Sequence, residues 1–156
     1  MTPEQTFAAL HAEARHRAGA RLFTVTVQDD AAGLVRRAYS SHPIDYPVSG
    51  TKPVQIDAFS QQVLVEGRAF VANSLAEFAH LFPDHALIDS LGCQATLNIP
   101  VTDSGHVLGT VNILDAEGHF NPARVAALTG LVAERQAAIA SAMRAIATTM
   151  RAIATG

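Results

Sequence analysis

Thr96, Asn98, Thr110 and Asn112 interrupt two otherwise apolar runs, TLNIPV (96–101) and LGTVNIL (108–114). In each run the polar residues fall at alternate positions, so they share one face of a strand. TDSGH (102–106) between the runs reads as a hairpin turn. Placing Val101 opposite Val107 pairs Asn98 with Thr110 and Thr96 with Asn112. Four hydrogen-bonding side chains then occupy one patch of sheet. Amides and hydroxyls are costly to bury unless satisfied. The patch therefore faces water, satisfies itself, or floors a polar cavity. Such groups can orient a ligand, but they supply no acid, base or nucleophile.

Two other segments carry reactive side chains. YSSHPIDYPVSGTKP (39–53) offers Tyr39, Ser41, His42, Tyr46 and Lys52. Its prolines exclude regular structure, and long loops in compact domains are often functional. Gly50, between Ser49 and Thr51, could present backbone N–H groups to an anion, with Lys52 adding charge. The alternative is a rigid surface loop whose polar groups meet water. HLFPDHALIDSLGC (80–93) supplies Phe82 as apolar contact and His85 as a titratable hydrogen-bonding ring. Cys93 closes this segment and is the only thiol of the chain. It reads either as a small buried apolar residue or as a nucleophile. The second role needs a base such as His42 or His85 beside it.

Seven histidines raise the question of a metal. His80, Asp84 and His85 lie close in sequence, but Pro83 breaks the helix that would align them. No ligand spacing of a known metal motif is present, so no metal site is expected. A lone histidine as haem ligand stays open.

The elements that must position these residues are legible from pattern. Thr2, Pro3 and Gln5 start a helix with a capping box, and Gly19 ends it. RLFTVTV (21–27) and LVRRAYSS (34–41) are strands joined by a turn. Residues 55–66 read as a helix, GRAFVAN (67–73) as a strand, and Asn73 or Ser74 as the cap of a helix running to about Phe82. A short helix follows within 82–93, then the hairpin. Asn121 and Pro122 open a last helix reaching about Thr155. Its end, MRAIATTMRAIAT (143–155), repeats every seven residues. Met143, Ile146, Met150 and Ile153 fall on one stripe that Val125, Val132 and Ile139 continue upstream. That spacing predicts a coiled-coil seam; the alternative is a disordered or tag-like tail. Arg135, Arg144 and Arg151 read as solvated positions beside the stripe.

At 156 residues the chain is expected to be one domain, 1–142, with a helical extension at 143–156. With 49% hydrophobic and 16% charged residues it can build a core, which excludes a disordered chain. A net charge of -3 argues against a nucleic-acid partner. One cysteine allows no internal disulfide. The first twenty residues lack the apolar core of a signal peptide, and no run reaches membrane-spanning length. A cytoplasmic protein is the expectation.

Hairpins flanked by helices make an α+β fold with an antiparallel sheet. In this order the NIPV strand, the SGH turn, the GTVNIL strand and the long last helix resemble the GAF domain family. YSSHPIDYPVSGTKP and FVANSLAEFAHLFPDHALIDSLGC resemble a small-protein branch of it. The likeness covers about residues 2–150. It implies a GAF-like central antiparallel sheet, with the terminal helices on one face and a ligand pocket on the other. It also implies a small-molecule ligand and a homodimer through the terminal helices. Members bind cyclic nucleotides, tetrapyrroles, haem, nitrate, amino acids and other metabolites, so the cofactor stays unknown. The ligand site implied here is Asn98, Thr110 and Asn112 below, with Tyr39, Ser41, His42, Tyr46, Lys52, Phe82, His85 and Cys93 above. The expected function is a sensor-type module binding a small polar, perhaps anionic metabolite. The alternative is an enzyme using Cys93, His42 and His85, with Asp45 and Asp89 nearby. The reductase branch of the family needs several cysteines, which this chain lacks.

Overall fold

The computed structural model describes residues 1–155, with side chains through Ala152. Ile153 of the expected seam therefore lies outside the described side chains. Helix α1 (Pro3–Ala18) begins as its sequence dictates. The Thr2 hydroxyl accepts from the Gln5 backbone N–H at 3.1 Å, and the Gln5 side-chain Oε1 accepts from the Thr2 backbone N–H at 2.9 Å. Phe7, Leu10 and Ala14 form its buried stripe.

Six strands follow: β1 (Leu22–Asp29), β2 (Leu34–Ser40), β3 (Lys52–Pro53), β4 (Phe70–Ala72), β5 (Ala95–Asp103) and β6 (His106–Asp115). They form one antiparallel sheet in the order β3-β2-β1-β6-β5-β4. Short helices intervene between β3 and β5. They are α2 (Ala58–Ser60) running into a π-helical turn (Gln61–Val65), α3 (Leu75–Phe78) and α4 (His85–Ser90). The chain is α+β, as its pattern of hairpins and helices implies.

Alternation sorts each strand between two faces. Phe23, Val25 and Val27 on β1, Leu97 and Ile99 on β5, and Val111 and Ile113 on β6 pack with Phe7, Leu10 and Ala14 of α1. The closing helices α5 (Pro122–Glu134) and α6 (Gln136–Thr155) join the same core. Leu22 and Leu114 point the other way, into a smaller cluster with Tyr46, Ala72, Phe78, Ile88 and Cys93.

The last helix differs from expectation in two ways. It is broken at Arg135, where φ is -104° and ψ is 11°. Among the described side chains, its seven-residue stripe is also spent within the chain. Ile139, Met143 and Met150 are fully buried in the core over the sheet, with Val132 nearly so. Val125 and Ile146 are half-buried against the same core. A heptad stripe reports a continuous apolar edge on a helix, and a sheet covers that edge as well as a second helix does.

The hairpin register also differs from the expected pairing. Asn98 stands opposite Asn112, Pro100 opposite Thr110 and Thr96 opposite Leu114. Ser104 (φ 52°) and Gly105 (φ 80°) form a two-residue turn of the primed type, which displaces the pairing by one. A bulge leaves Leu108 unpaired and displaces it by one more. A slip of one residue exchanges the faces and a slip of two restores them. The polar face therefore survives the error.

Candidate functional site

The face opposite α1, α5 and α6 carries a cavity of about 730 Å³. Its floor is the polar face of three adjacent strands: Thr24 and Thr26 of β1, Thr110 and Asn112 of β6, and Asn98 of β5. Gln55, Asp57, Phe59, Ser60 and Leu64 form one wall. His80, Leu81, Phe82, Pro83 and Ile88 form the roof. Val35, Arg37, Tyr46, Lys52, Pro53 and Val54 close the side toward β2 and β3.

The floor side chains form a hydrogen-bonded relay across the strands. The Thr96 hydroxyl donates to Asn98 Oδ1 at 2.8 Å. Asn98 Nδ2 donates to Asn112 Oδ1 at 2.8 Å. Asn112 Nδ2 then donates to the Thr24 and Thr26 hydroxyls, both at 3.1 Å. Thr24, Thr96, Asn98 and Asn112 are all buried. The network satisfies itself and also lines a cavity, so two of the three readings open in sequence are realised together. Thr24 and Thr26 were the missed members. The signal was present, because FTVTV repeats the alternate polar pattern of the two later strands.

Aromatic side chains supply the apolar wall. Phe59 meets Phe82 edge to face at 5.1 Å and Phe70 at 5.4 Å. Gln28 holds this wall to the sheet, since its Nε2 donates to the Leu64 and Val107 carbonyls at 3.1 and 2.7 Å.

A second cluster clamps loop to roof. Tyr46 donates its hydroxyl to Asp84 Oδ2. Arg37 lies 0.4 nm or less from both neighbours: its guanidinium is 3.8 Å from the Tyr46 ring centre and 3.4 Å from Asp84 Oδ2. Arg37 also donates to the Pro47 carbonyl at 2.9 Å. Burial, followed by the Asp84 charge, pushes the Tyr46 phenol well above its ordinary value. Arg37 was not foreseen as a site residue; in LVRRAYSS nothing distinguishes it from Arg36 except strand phase.

Of the residues expected to form the site, Tyr46, Lys52, Phe82, Asn98, Thr110 and Asn112 line the cavity. Tyr39, Ser41, His42, His85 and Cys93 do not. Tyr39 is displaced by a bulge in β2. Thr26 pairs with Arg37 and Val25 with Tyr39, so Ala38 is the extra residue and Tyr39 changes face. It packs instead with Phe7, Phe23 and His11 under α1. Ser41 accepts from the Phe23 N–H at 2.9 Å and meets His42 Nδ1 at 2.8 Å, at the end of β2. His85 uses Nδ1 on the Phe82 carbonyl at 2.8 Å, at the start of α4.

Cys93 is fully buried between Ile88, Leu22 and Leu114 in the smaller core cluster. Burial, then the Asp115 charge, pushes its thiol up to about 11, with Arg21 opposing. A nucleophilic cysteine needs the opposite shift. Asp89 accepts from Gln94 at 2.9 Å and Asp45 is exposed. The expected catalytic set is thus not gathered in the cavity.

Among the described residues, no group of three or more His, Cys, Asp or Glu is placed to hold a metal. The one histidine of the cavity lining, His80, is exposed, and the one thiol lies outside that lining. No helix among the described residues is long and apolar enough to cross a membrane.

A helix-backed antiparallel sheet with a roofed cavity on its free face agrees with the family comparison. The GAF domain profile matches residues 1–140, and the chain belongs to the GAF domain family. No curated protein sequence matches it. Among solved structures it is similar to the GAF domain/HD domain protein from Geobacter sulfurreducens, with 15% identity and a TM-score of 0.72, over 92% of this chain and 95% of that one. It is similar to the GAF domain of a two-component sensor histidine kinase from Bacillus halodurans, with 11% identity and a TM-score of 0.71, over 88% and 92%. It is also similar to the second GAF domain of DevS from Mycobacterium smegmatis, with 21% identity and a TM-score of 0.62, over 96% and 98%. At these identities the likeness carries the fold alone.

Proposed function

We propose that this GAF domain is a cytoplasmic, sensor-type module that binds a small polar ligand in the cavity between sheet and roof. The observation that carries this reading is the buried relay of Thr96, Asn98, Asn112, Thr24 and Thr26 beneath an open volume of about 730 Å³. Burying amides and hydroxyls costs stability where a donor or acceptor is left unmet, and the relay does not use the Thr24 and Thr26 hydroxyl protons or the second Asn98 amide proton. A floor built of them is favoured where it meets a ligand's own polar groups. The volume lies within the roughly 300–1,000 Å³ of small-molecule sites. Cys93, His42 and His85 lie outside the lining, which favours binding over thiol chemistry in this space.

Two copies would pair through the outward faces of the terminal helices, because the inward faces already cover the sheet. Native mass spectrometry of freshly purified protein tests both parts. The expected spectrum shows a dimer carrying a small adduct that departs on activation. A bare protein that shows no thermal shift with any small metabolite would overturn the binding reading. A monomer at micromolar concentration would overturn the dimer.

A further inference from the structure

The polarity of the relay selects the ligand's chemistry. Asn112 spends both amide protons, one on Thr24 and one on Thr26. Each of those hydroxyls accepts from Asn112 and keeps its own proton to donate. Asn98 spends one amide proton on Asn112 and keeps the second. Thr110 lines the floor but takes no part in the relay, so its hydroxyl is uncommitted to it. The floor therefore has four protons outside the relay, on Thr24, Thr26, Thr110 and Asn98, and it matches a group rich in acceptors.

The charges around the cavity agree. Arg37 and Lys52 line it on the β2–β3 side. Asp57 is the one carboxylate of the lining, and its Oδ1 already accepts from the Ser60 N–H at 2.8 Å as a helix cap. Arg37 is partly neutralised by Asp84 at 3.4 Å. Arg37 and Lys52 are matched in number by Asp57 and Asp84, so a doubly charged ligand is disfavoured, and Arg37, paired with Thr26 across the strands, is the cation a single negative charge meets. Opposite these groups, Phe59 and Phe82 offer an aromatic wall.

Taking the cavity as a ligand site, as above, we propose that it accepts a small monocarboxylate with a compact apolar body. The carboxylate lies over Thr24, Thr26 and Thr110, within reach of Arg37. The apolar body lies against Phe59 and Phe82. A carboxylate accepts several hydrogen bonds at once, and bonds to a charged partner are the stronger kind.

The test is a matched set of probes with one body: phenylacetate, phenylacetamide, phenethylamine and phenyl phosphate. Each is titrated calorimetrically into the purified full chain. Phenylacetate is expected to bind at least about tenfold more tightly than the other three, the size of one charge-assisted hydrogen bond. Thr110→Val keeps the shape of the side chain and leaves the relay intact. It should weaken phenylacetate about tenfold with an unchanged melting temperature. Equal or tighter binding of phenethylamine or phenylacetamide overturns the anionic class and leaves the ligand site standing. Tightest binding of phenyl phosphate overturns the single-charge argument. Unchanged phenylacetate affinity in Thr110→Val overturns the placement on the floor. Binding of none of the four overturns the proposal, and the co-purified adduct sought by native mass spectrometry then decides separately whether the cavity is a ligand site.

Discussion

Asn98 donates its amide to the Asn112 carbonyl oxygen at 2.8 Å, with both side chains buried at the centre of the sheet. Removing one partner strands the other. Asn112→Leu leaves Asn98 Nδ2 without its acceptor and takes a donor from Thr24 and Thr26. An unsatisfied buried polar group costs about 1–3 kcal/mol. Asn98→Leu with Asn112→Leu removes both members, and an apolar pair of similar shape is nearly neutral. The double variant is therefore expected to be less destabilised than the sum of the single variants by about 1 kcal/mol or more. Urea denaturation of the four proteins measures this. Strict additivity would show that the two amides do not depend on each other.

The Tyr46 hydroxyl holds loop to roof through Asp84, so Tyr46→Phe should loosen both. The expected loss is about 1 kcal/mol, since Asp84 is partly open to water. The phenol is shifted upward by burial and by the Asp84 charge. A group whose folded value is raised contributes stability that is complete below its unfolded value, about 10, and is lost as pH climbs through the folded one. The stability gap between wild type and Tyr46→Phe should thus be flat below about pH 10 and narrow above it. A gap that widens above pH 10 would contradict the assignment. Amide exchange should rise first in residues 44–50, which border the clamp.

How far the sequence carried these conclusions differs from residue to residue. Helix starts were plain, because Thr2 with Gln5 and Asn121 with Pro122 act through local hydrogen bonds that the sequence states directly. The polar floor was visible in Asn98, Thr110 and Asn112, because period-two alternation is local too. What failed depended on single extra residues. Ala38 moved Tyr39 to the helix side, and Leu108 with the Ser104–Gly105 turn moved the hairpin register. A bulge changes every face beyond it and leaves almost no mark in composition. Arg37 was missed for the same reason, since its face depends on which side of the Ala38 bulge it falls. The closing helix failed differently: a heptad stripe does not say what covers it, and the break at Arg135 falls where no glycine or proline marks it.

Cys93 is expected to behave as a core residue. With no exposed surface it should react with Ellman's reagent only as fast as the protein opens. Its thiol is pushed up to about 11, so its stabilising contribution is complete below about pH 9 and is lost between about pH 9 and 11. Cys93→Ala should lack that alkaline decline while retaining ligand affinity. Rapid labelling of the native protein at neutral pH, or a loss of turnover on any metabolite in Cys93→Ala, would restore the thiol to a chemical role.

Met150 separates the two roles available to the last helix. Its side chain is fully buried, as is that of Met143 one heptad earlier, and both belong to the core that includes Val25, Val27 and Val111. Met143 also lies close against Gly109, where an added Cβ would come within 3.1 Å of it and collide with the Thr26 carbonyl. In that setting Met150→Ala opens a void inside one chain. The expected cost is about 2–5 kcal/mol, read as a lower urea midpoint with an unchanged slope. The mass in solution, measured by sedimentation, should not change. In an intermolecular seam the same substitution would weaken association and leave the isolated subunit as stable as before. A variant that dissociates without losing subunit stability would therefore return this stripe to a second chain and take it from the sheet.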